Sequence, residues 1–188
     1  MKGSDFGGTR RKAVFLDRDG TLIEDVGYPR RPSQVRLLPE VPESLKSLIA
    51  SGFILVVVSN QSGVARGLIS PEEAQAVHDR VVTLLSECGI LLAGANYCYH
   101  TQEDNCECRK PKPGLILRAA EELSIDLKKS FLVGNQERDA QAALAAGCRS
   151  VLVVDDKDMV GTALPGTYRA RTWTDAVRSI LAPAESDS

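Results

Sequence analysis

The sequence Ala13-Val-Phe-Leu16 runs directly into Asp17-Arg-Asp-Gly-Thr21. Four consecutive apolar residues without polar alternation are typical of a strand that is covered on both faces, as the strands of parallel sheets are. The turn that follows contains two carboxylates, two residues apart. In open α/β sheets, ligands bind beyond the carboxyl ends of the strands, so we expect this turn to contribute to a functional site.

Four more apolar runs follow, and amphipathic helical patterns lie between them. The predicted strands cover residues 13–16, 53–58, 96–99, 131–133 and 151–154. One predicted helix begins at Pro71, with Ser70 as its N-cap and Glu73 in capping-box spacing, and Gly52 and Gly147 end two others. This alternation predicts an α/β fold with a doubly wound parallel sheet.

Composition narrows the class of protein. The chain has 188 residues with 23 basic and 25 acidic side chains, a net charge of −2. That balance does not favour nucleic-acid binding. The longest apolar run, residues 53–58, is far shorter than the roughly 20 residues that span a membrane, and the polar first residues do not resemble a secretory signal. We expect a cytoplasmic monomer without nucleic-acid or membrane partners: a flexible leader (1–11), one domain (12–182) and a flexible tail (183–188).

Polar side chains follow the first two predicted strands. Asp17 and Asp19 can converge on one hard cation such as Mg²⁺, which prefers oxygen ligands. A carboxylate can also attack phosphorus, while a second carboxylate transfers protons to the leaving oxygen and from water. The hydroxyl of Ser59 and the amides beside it suit phosphate oxygens. A solvated acidic turn and an ordinary polar turn are the alternatives for these two segments.

The segment Cys98-Tyr-His100-x5-Cys106-Glu-Cys108 places three thiols and one imidazole in one short loop. This set matches a tetrahedral Cys3His site whose four positions are all filled by protein, so residues 98–108 are predicted to form a structural zinc loop. A loop with incidental thiols is the alternative. Arg109 and Lys110 follow directly, and a zinc site would hold both cations in place to bind phosphate or carboxylate.

Taken together, these segments resemble the haloacid dehalogenase superfamily of phosphatases over nearly the whole chain. Asp17-Arg-Asp-Gly-Thr21 is similar to the first motif of that superfamily, Ser59 to the second, Lys110 to the third, and residues 134–139 to the fourth. Each motif is weak alone, but all four occur in order, at or beside predicted strand ends. The resemblance implies a Rossmann-like fold.

The resemblance also implies roles for individual residues. Asp17 would be the nucleophile and a Mg²⁺ ligand, and Asp19 the general acid/base with its backbone carbonyl on Mg²⁺. Ser59 and Lys110 would hold the transferring phosphoryl group. The implied substrate-binding residues are Asp25, Val26, Gly27, Tyr28, Asn60, Gln61, Ser62 and Arg109.

The zinc loop followed by Arg-Lys-Pro is similar to a subgroup that includes heptose-bisphosphate and histidinol-phosphate phosphatases. Gly27-Tyr28, Arg31-Pro32, Leu37-Leu38-Pro39 and residues 60–67 resemble the heptose enzymes. This implies removal of the 7-phosphate of D-glycero-D-manno-heptose 1,7-bisphosphate through an aspartyl-phosphate, on a nucleotide-sugar route toward surface polysaccharide. The implied partner is a small phosphorylated sugar, with catalytic Mg²⁺ and structural Zn²⁺. A histidinol-phosphate phosphatase is the alternative enzyme.

One position departs from the family pattern. The fourth motif usually carries an aspartate that ligates Mg²⁺, and this chain has Asn135 there. An amide oxygen is an acceptable but uncharged ligand, so Asn135 remains the third expected Mg²⁺ ligand beside Asp17 and Asp19. Asp139 could instead move into the coordination shell. A catalytically impaired, zinc-stabilised binding module is the alternative of another class.

Motif spacing limits the architecture. The interval from Asp19 to Ser59 already holds a loop and a helix, and the interval from Ser59 to Lys110 holds a helix, a strand and the zinc loop. Neither leaves room for a separate cap domain. We therefore expect an open site in which loops set the specificity.

Overall fold

The computed structural model describes residues 10–155, 159 and 164–182. Six strands in these residues form one sheet with parallel neighbours throughout, and five α-helices pack on it. The strands are β1 (Ala13–Leu16), β2 (Ile54–Asn60), β3 (Gly94–Cys98), β4 (Phe131–Gly134), β5 (Arg149–Val153) and β6 (Thr167–Ala170). The helices are α1 (Val41–Ala50), α2 (Pro71–Glu87), α3 (Gly114–Glu122), α4 (Glu137–Ala146) and α5 (Trp173–Leu181).

The strand order is β3-β2-β1-β4-β5-β6. The chain moves from β1 to one edge of the sheet, returns to place β4 beside β1, and continues to the other edge. The order therefore reverses between β1 and β4, which is where open α/β sheets bind ligands. The backbone N–H of Asp17 donates to the carbonyl of Val133 at 2.9 Å, so the loops that leave these two strands are neighbours.

Side-chain alternation along β1 explains its uninterrupted apolar sequence. Val14 and Leu16 pack in a core with α1, α2 and α5, whereas Ala13 and Phe15 pack in a second core with α3 and α4. All four side chains are fully buried. Helices on both faces confirm the doubly wound sheet that the sequence predicts.

The five predicted strands are confirmed with bounds that differ by at most two residues, and the helix boundaries with capping signals are confirmed. The hydroxyl of Ser70 accepts a hydrogen bond from the N–H of Glu73 at 3.1 Å, and Gly147 ends α4 with φ = 84°. The sixth strand, β6, was not predicted. Its sequence Thr-Tyr-Arg-Ala lies at the sheet edge and is largely half-exposed, so it carries no apolar run to mark it.

Both predicted termini fall mainly on residues 1–9 and 183–188, outside the described residues. Arg11, within the predicted leader, is described: its N–H donates to Ser124 at 3.0 Å and its carbonyl accepts from Asp126 at 2.8 Å. Backbone pairing therefore begins before residue 12. In the described part of the chain, no helix is long and apolar enough to cross a bilayer, and no separate cap domain interrupts the sheet.

Candidate active site

Asp17 stands at the reversal point of the sheet, directly after β1. Its backbone is tied to β4, and its Oδ1 accepts a hydrogen bond from Lys110 Nζ at 2.7 Å. The residue is 8% exposed, so one edge of the carboxylate remains accessible from a cavity above it. The fold thus brings together the predicted nucleophile and the predicted phosphate-holding cation.

The ammonium of Lys110 is buried between two carboxylates. Besides Asp17, its Nζ lies 2.7 Å from Asp139 Oδ1 and donates to the Val58 carbonyl at 2.9 Å. Burial disfavours the charged form, but the charges of Asp17 and Asp139 outweigh it and raise the pKa of Lys110. Lys110 is therefore a constant positive charge at the base of the cavity.

Asn60 holds the backbone of Lys110. Its Oδ1 accepts from the N–H of Lys110 and its Nδ2 donates to the carbonyl of Lys110, both at 3.0 Å. The Asn60 side chain thus makes the two backbone hydrogen bonds that a neighbouring strand would otherwise make to Lys110. Ser59, its neighbour in β2, is buried beside the cavity, and its Oγ accepts a hydrogen bond from Gln61 at 3.2 Å.

Asp19 is held by a buried arginine and an amide. Arg18, which is 1% exposed, donates to the Asp19 carboxylate at 3.0–3.2 Å and to Gln61 Oε1 at 2.8 Å. Gln61 Nε2 in turn donates to Asp19 Oδ2 at 2.6 Å. Burial raises the pKa of Asp19, while the contacts from Arg18 and Gln61 oppose the shift. A raised pKa suits a carboxyl that must donate a proton.

A cavity of about 340 Å³ opens above these groups. Most of the predicted site residues line it: Asp17, Asp19, Asp25, Gly27, Tyr28, Ser59, Asn60, Ser62, Arg109 and Lys110. Three predicted site residues are not in the wall: Val26 is 46% exposed outside it, Gln61 is buried against Asp19, and Asn135 follows β4 outside the lining. Three cavity residues were not among the predicted site residues, although they belong to the motif segments 60–67 and 134–139, namely Arg66, Gln136 and Arg138.

One wall of the cavity depends on a close approach at Gly63. A Cβ atom at this position would lie 2.6 Å from Cδ1 of Tyr28, so only glycine lets the Tyr28 ring pack against this turn. The loop that carries Tyr28 is shaped by Asp25, whose Oδ1 accepts from the N–H of Gly27 at 2.9 Å. These contacts connect the loop after β1 to the loop after β2.

The residues at the reversal point fit a Mg²⁺ ion. Asn135 Oδ1 and Asp139 Oδ1 are both buried without a hydrogen-bond partner among the described residues, but only Asp139 Oδ1 has a cation, Lys110 Nζ, at 2.7 Å. The Asn135 oxygen is therefore the one that can serve as a ligand to Mg²⁺. Asp139 is engaged elsewhere: its Oδ2 accepts from the N–H groups of Asn135 and Gln136, and its Oδ1 faces Lys110. Asn135 and Asp17 therefore fit the ion better than Asp139 does.

The predicted zinc ligands form a compact cluster. The ligand atoms of Cys98, His100, Cys106 and Cys108 all lie within 4.8 Å of one another, and His100 presents Nδ1. Sulfur–sulfur separations are 3.3–3.7 Å. Ligands about 2.3 Å from a tetrahedral zinc ion would stand roughly 3.7 Å apart, so the set fits Zn²⁺ with modest adjustment.

The zinc cluster is joined to the cavity through Arg109. The Nη1 of Arg109 donates to the backbone carbonyl of His100 at 3.1 Å, and Lys110 follows it directly into the active site. Two of the cavity's cations, Arg109 and Lys110, therefore directly follow the predicted zinc ligand Cys108 and are positioned by the zinc loop.

The chain is similar in sequence to known phosphatases. A family model described as HAD-hydrolase-like matches residues 107–178. The D-glycero-beta-D-manno-heptose-1,7-bisphosphate 7-phosphatase of Pasteurella multocida (strain Pm70) is 40% identical over 150 residues, which cover 77% of this chain and 82% of the relative. The protein of that name from Escherichia coli (strain K12) is 36% identical over 177 residues, 90% of each chain. This chain belongs to the heptose-1,7-bisphosphate 7-phosphatase family.

Solved structures of heptose-bisphosphate phosphatases share the fold. The D,D-heptose 1,7-bisphosphate phosphatase from B. bronchiseptica, complexed with magnesium and phosphate, matches with a TM-score of 0.82 and 31% identity over 90% of this chain and 98% of that one. The enzyme from Burkholderia thailandensis matches with a TM-score of 0.69 and 26% identity. The resemblance inferred from the motifs, the α/β fold and the phosphatase class are thereby confirmed.

Proposed function

We propose that this chain is a Mg²⁺-dependent phosphatase that removes the 7-phosphate of D-glycero-β-D-manno-heptose 1,7-bisphosphate. One observation carries the proposal: Lys110 Nζ lies 2.7 Å from Asp17 Oδ1 at the base of a cavity, in a chain whose relatives are named for this reaction. Phosphoryl transfer depends mainly on positioning and charge neutralisation, and these two residues supply a nucleophile and a fixed counter-charge.

The first half-reaction transfers the phosphoryl group to Asp17. A carboxylate oxygen of Asp17 attacks phosphorus, the bond between phosphorus and the sugar's O7 breaks, and Asp19 gives its proton to that oxygen. Lys110 and Ser59 hold the phosphoryl oxygens from two sides. The sugar leaves with its other phosphate intact, and an aspartyl-phosphate remains on Asp17.

Water completes the cycle. Asp19, now ionised, accepts a proton from a water molecule that attacks phosphorus, and the bond between phosphorus and Asp17 breaks to release phosphate. Arg18 and Gln61 keep the Asp19 carboxylate in one place through both proton transfers. Mg²⁺, held by Asp17, Asn135 and the backbone carbonyl of Asp19, would neutralise phosphoryl charge when bound.

Turnover assays test this assignment. Purified protein should release phosphate from heptose 1,7-bisphosphate in the presence of Mg²⁺, leave heptose 1-phosphate as the product, and lose activity when Mg²⁺ is omitted. Faster turnover of histidinol phosphate than of the heptose bisphosphate would favour the alternative enzyme. Binding of the bisphosphate without any phosphate release would favour an impaired binding module.

We also propose that the enzyme acts as a cytoplasmic monomer. All the groups invoked above come from one chain, and the cavity needs no residue from a second copy. Light scattering at assay concentration, with a mass near 20.3 kDa, tests the oligomeric state.

A further inference from the structure

Arg138 occupies a wall between two cavities. It lines the active-site cavity and also a neighbouring cavity of about 320 Å³ that lies beside the zinc loop. Arg109 and Lys110 are the other residues common to both. Arg138 comes from α4, one residue before Asp139, and is half-buried where Asp139 is fully buried. The helix thus directs Asp139 to the base of the site and the preceding residue, Arg138, to its side.

No carboxylate among the described residues pairs with Arg138. The adjacent carboxylates are taken: Glu137 accepts from Arg169 at 3.1 Å, and Asp139 is held by Lys110 and by backbone N–H groups. The guanidinium therefore adds an uncompensated positive charge to the first turn of α4, where the helix dipole is also positive. Such a charge favours an anion from outside the chain.

The proposed substrate carries two phosphates, and the catalytic groups bind only the one that is transferred. Lys110 and Ser59 hold the phosphate that is transferred, and the second phosphate sits at the opposite end of a seven-carbon sugar. It needs its own partners at a distance from Lys110. Apart from Lys110, the cations of the cavity are Arg66, Arg109 and Arg138. Arg66 is exposed, whereas Arg109 and Arg138 are half-buried in the same wall.

We propose that Arg138 binds the non-transferred phosphate together with Arg109, and so sets the preference for bisphosphates over monophosphates. Guanidinium groups grip phosphate with paired N–H donors, and two of them in one wall define where the second phosphate must lie. This inference rests on the proposed function. It assigns Arg138 a direct contact with substrate and leaves the chemistry to Asp17 and Asp19.

Steady-state kinetics of Arg138→Gln test the inference with two substrates. Heptose 1,7-bisphosphate has the second phosphate, and p-nitrophenyl phosphate lacks it. We expect kcat/KM for the bisphosphate to fall at least tenfold, mainly through KM, and kcat/KM for the aryl phosphate to change less than twofold. Arg118→Gln is the matched control, because Arg118 is an exposed helical arginine outside both cavities; both its rates should stay at the parent level.

The outcomes separate the two proposals. An Arg138→Gln enzyme that keeps the parent preference for the bisphosphate overturns the role of Arg138 and leaves the proposed function standing. Equal losses on both substrates also overturn it, since they indicate an effect on the adjacent Asp139. A parent enzyme that hydrolyses the aryl phosphate but not the heptose bisphosphate overturns the proposed function, and the second-phosphate site with it.

Discussion

The Nζ of Lys110 lies 2.7 Å from Asp139 Oδ1, and both side chains are 1% exposed. The same ammonium bonds to Asp17, so a single cation balances one carboxylate after β1 and another at the start of α4. A buried charge without a partner is far more costly than a buried pair. This small cluster is therefore a point where stability and catalysis depend on the same atoms.

Replacing Lys110 should damage stability as well as activity. Lys110→Met leaves two buried carboxylates facing each other, which should lower the free energy of unfolding by about 3–5 kcal/mol. Adding Asp139→Asn removes one of those charges and should recover part of the loss. Urea unfolding monitored by circular dichroism measures both variants. The exposed Lys46 provides the control: Lys46→Met should lie within about 1 kcal/mol of the parent. Equal stability of the parent and Lys110→Met would contradict the balance described above.

The two aspartates after β1 should respond differently to substitution. Asp17→Asn removes the nucleophile and a charged metal ligand, so aryl-phosphate turnover should vanish while the circular dichroism spectrum stays that of the parent. Asp19→Asn should lower kcat by about 10²–10⁴ and leave Mg²⁺ affinity nearly unchanged, because its proposed ligand atom is the backbone carbonyl. Calorimetric titration with Mg²⁺ reads the second point directly. Turnover by Asp17→Asn near the parent rate would remove Asp17 from its role.

Asn135 gives this chain a metal site with one fewer charge than the family pattern. Asn135→Asp should bind Mg²⁺ at least about tenfold more tightly, a gain of about 1.4 kcal/mol, and should reach half-maximal activity at lower Mg²⁺. Asp139→Asn should leave Mg²⁺ affinity near that of the parent, because both Asp139 oxygens are already engaged. The reverse pattern, with Asp139→Asn weakening Mg²⁺ binding and Asn135→Asp silent, would place Asp139 on the ion instead.

Zinc removal can be followed by counting reactive thiols. Cys88 is half-buried outside the cluster and should react with a thiol reagent at pH 8. Cys148 should not, because burial raises the pKa of its thiol to about 12. Chelation should loosen the loop and make Cys98, Cys106 and Cys108 reactive, adding three thiols to the count. Protein purified without chelators that contains no zinc, or a count unchanged by chelation, would refute the metal site; Cys88→Ser identifies the first thiol.

Local patterns were sufficient to predict most of the fold. Helices cover both faces of β1, β2, β4 and β5, so most side chains in these strands are buried and apolar. The resulting apolar runs are recognisable in the sequence. The edge strand β6 escapes this rule, since half of its surroundings is solvent. A backbone ladder can form there without any hydrophobic signature.

The active site was only partly predictable for a related reason. Asp17, Ser59 and Lys110 occur in motifs, but the partnership of Lys110 with Asp139 depends on how α4 packs beside the zinc loop. Gln61 belongs to a substrate-binding motif by resemblance, yet its side chain turns inward to hold Asp19. Charge alone could not mark Arg138, because an arginine on a helix is most often solvated, and only the packed structure shows it against a cavity.

The side chain of Trp173, at the start of α5, donates its indole N–H to the carbonyl of Thr21 at 2.8 Å. Thr21 belongs to the loop that carries Asp17, yet Trp173 is made long after it during synthesis on the ribosome. Until α5 docks, that buried carbonyl lacks its donor, a deficit of about 1–3 kcal/mol. A nascent chain therefore holds every catalytic group before it holds the brace for the loop that bears the nucleophile. Docking of α5 therefore satisfies this backbone carbonyl in the loop after β1 from a point in the sequence that follows every catalytic residue.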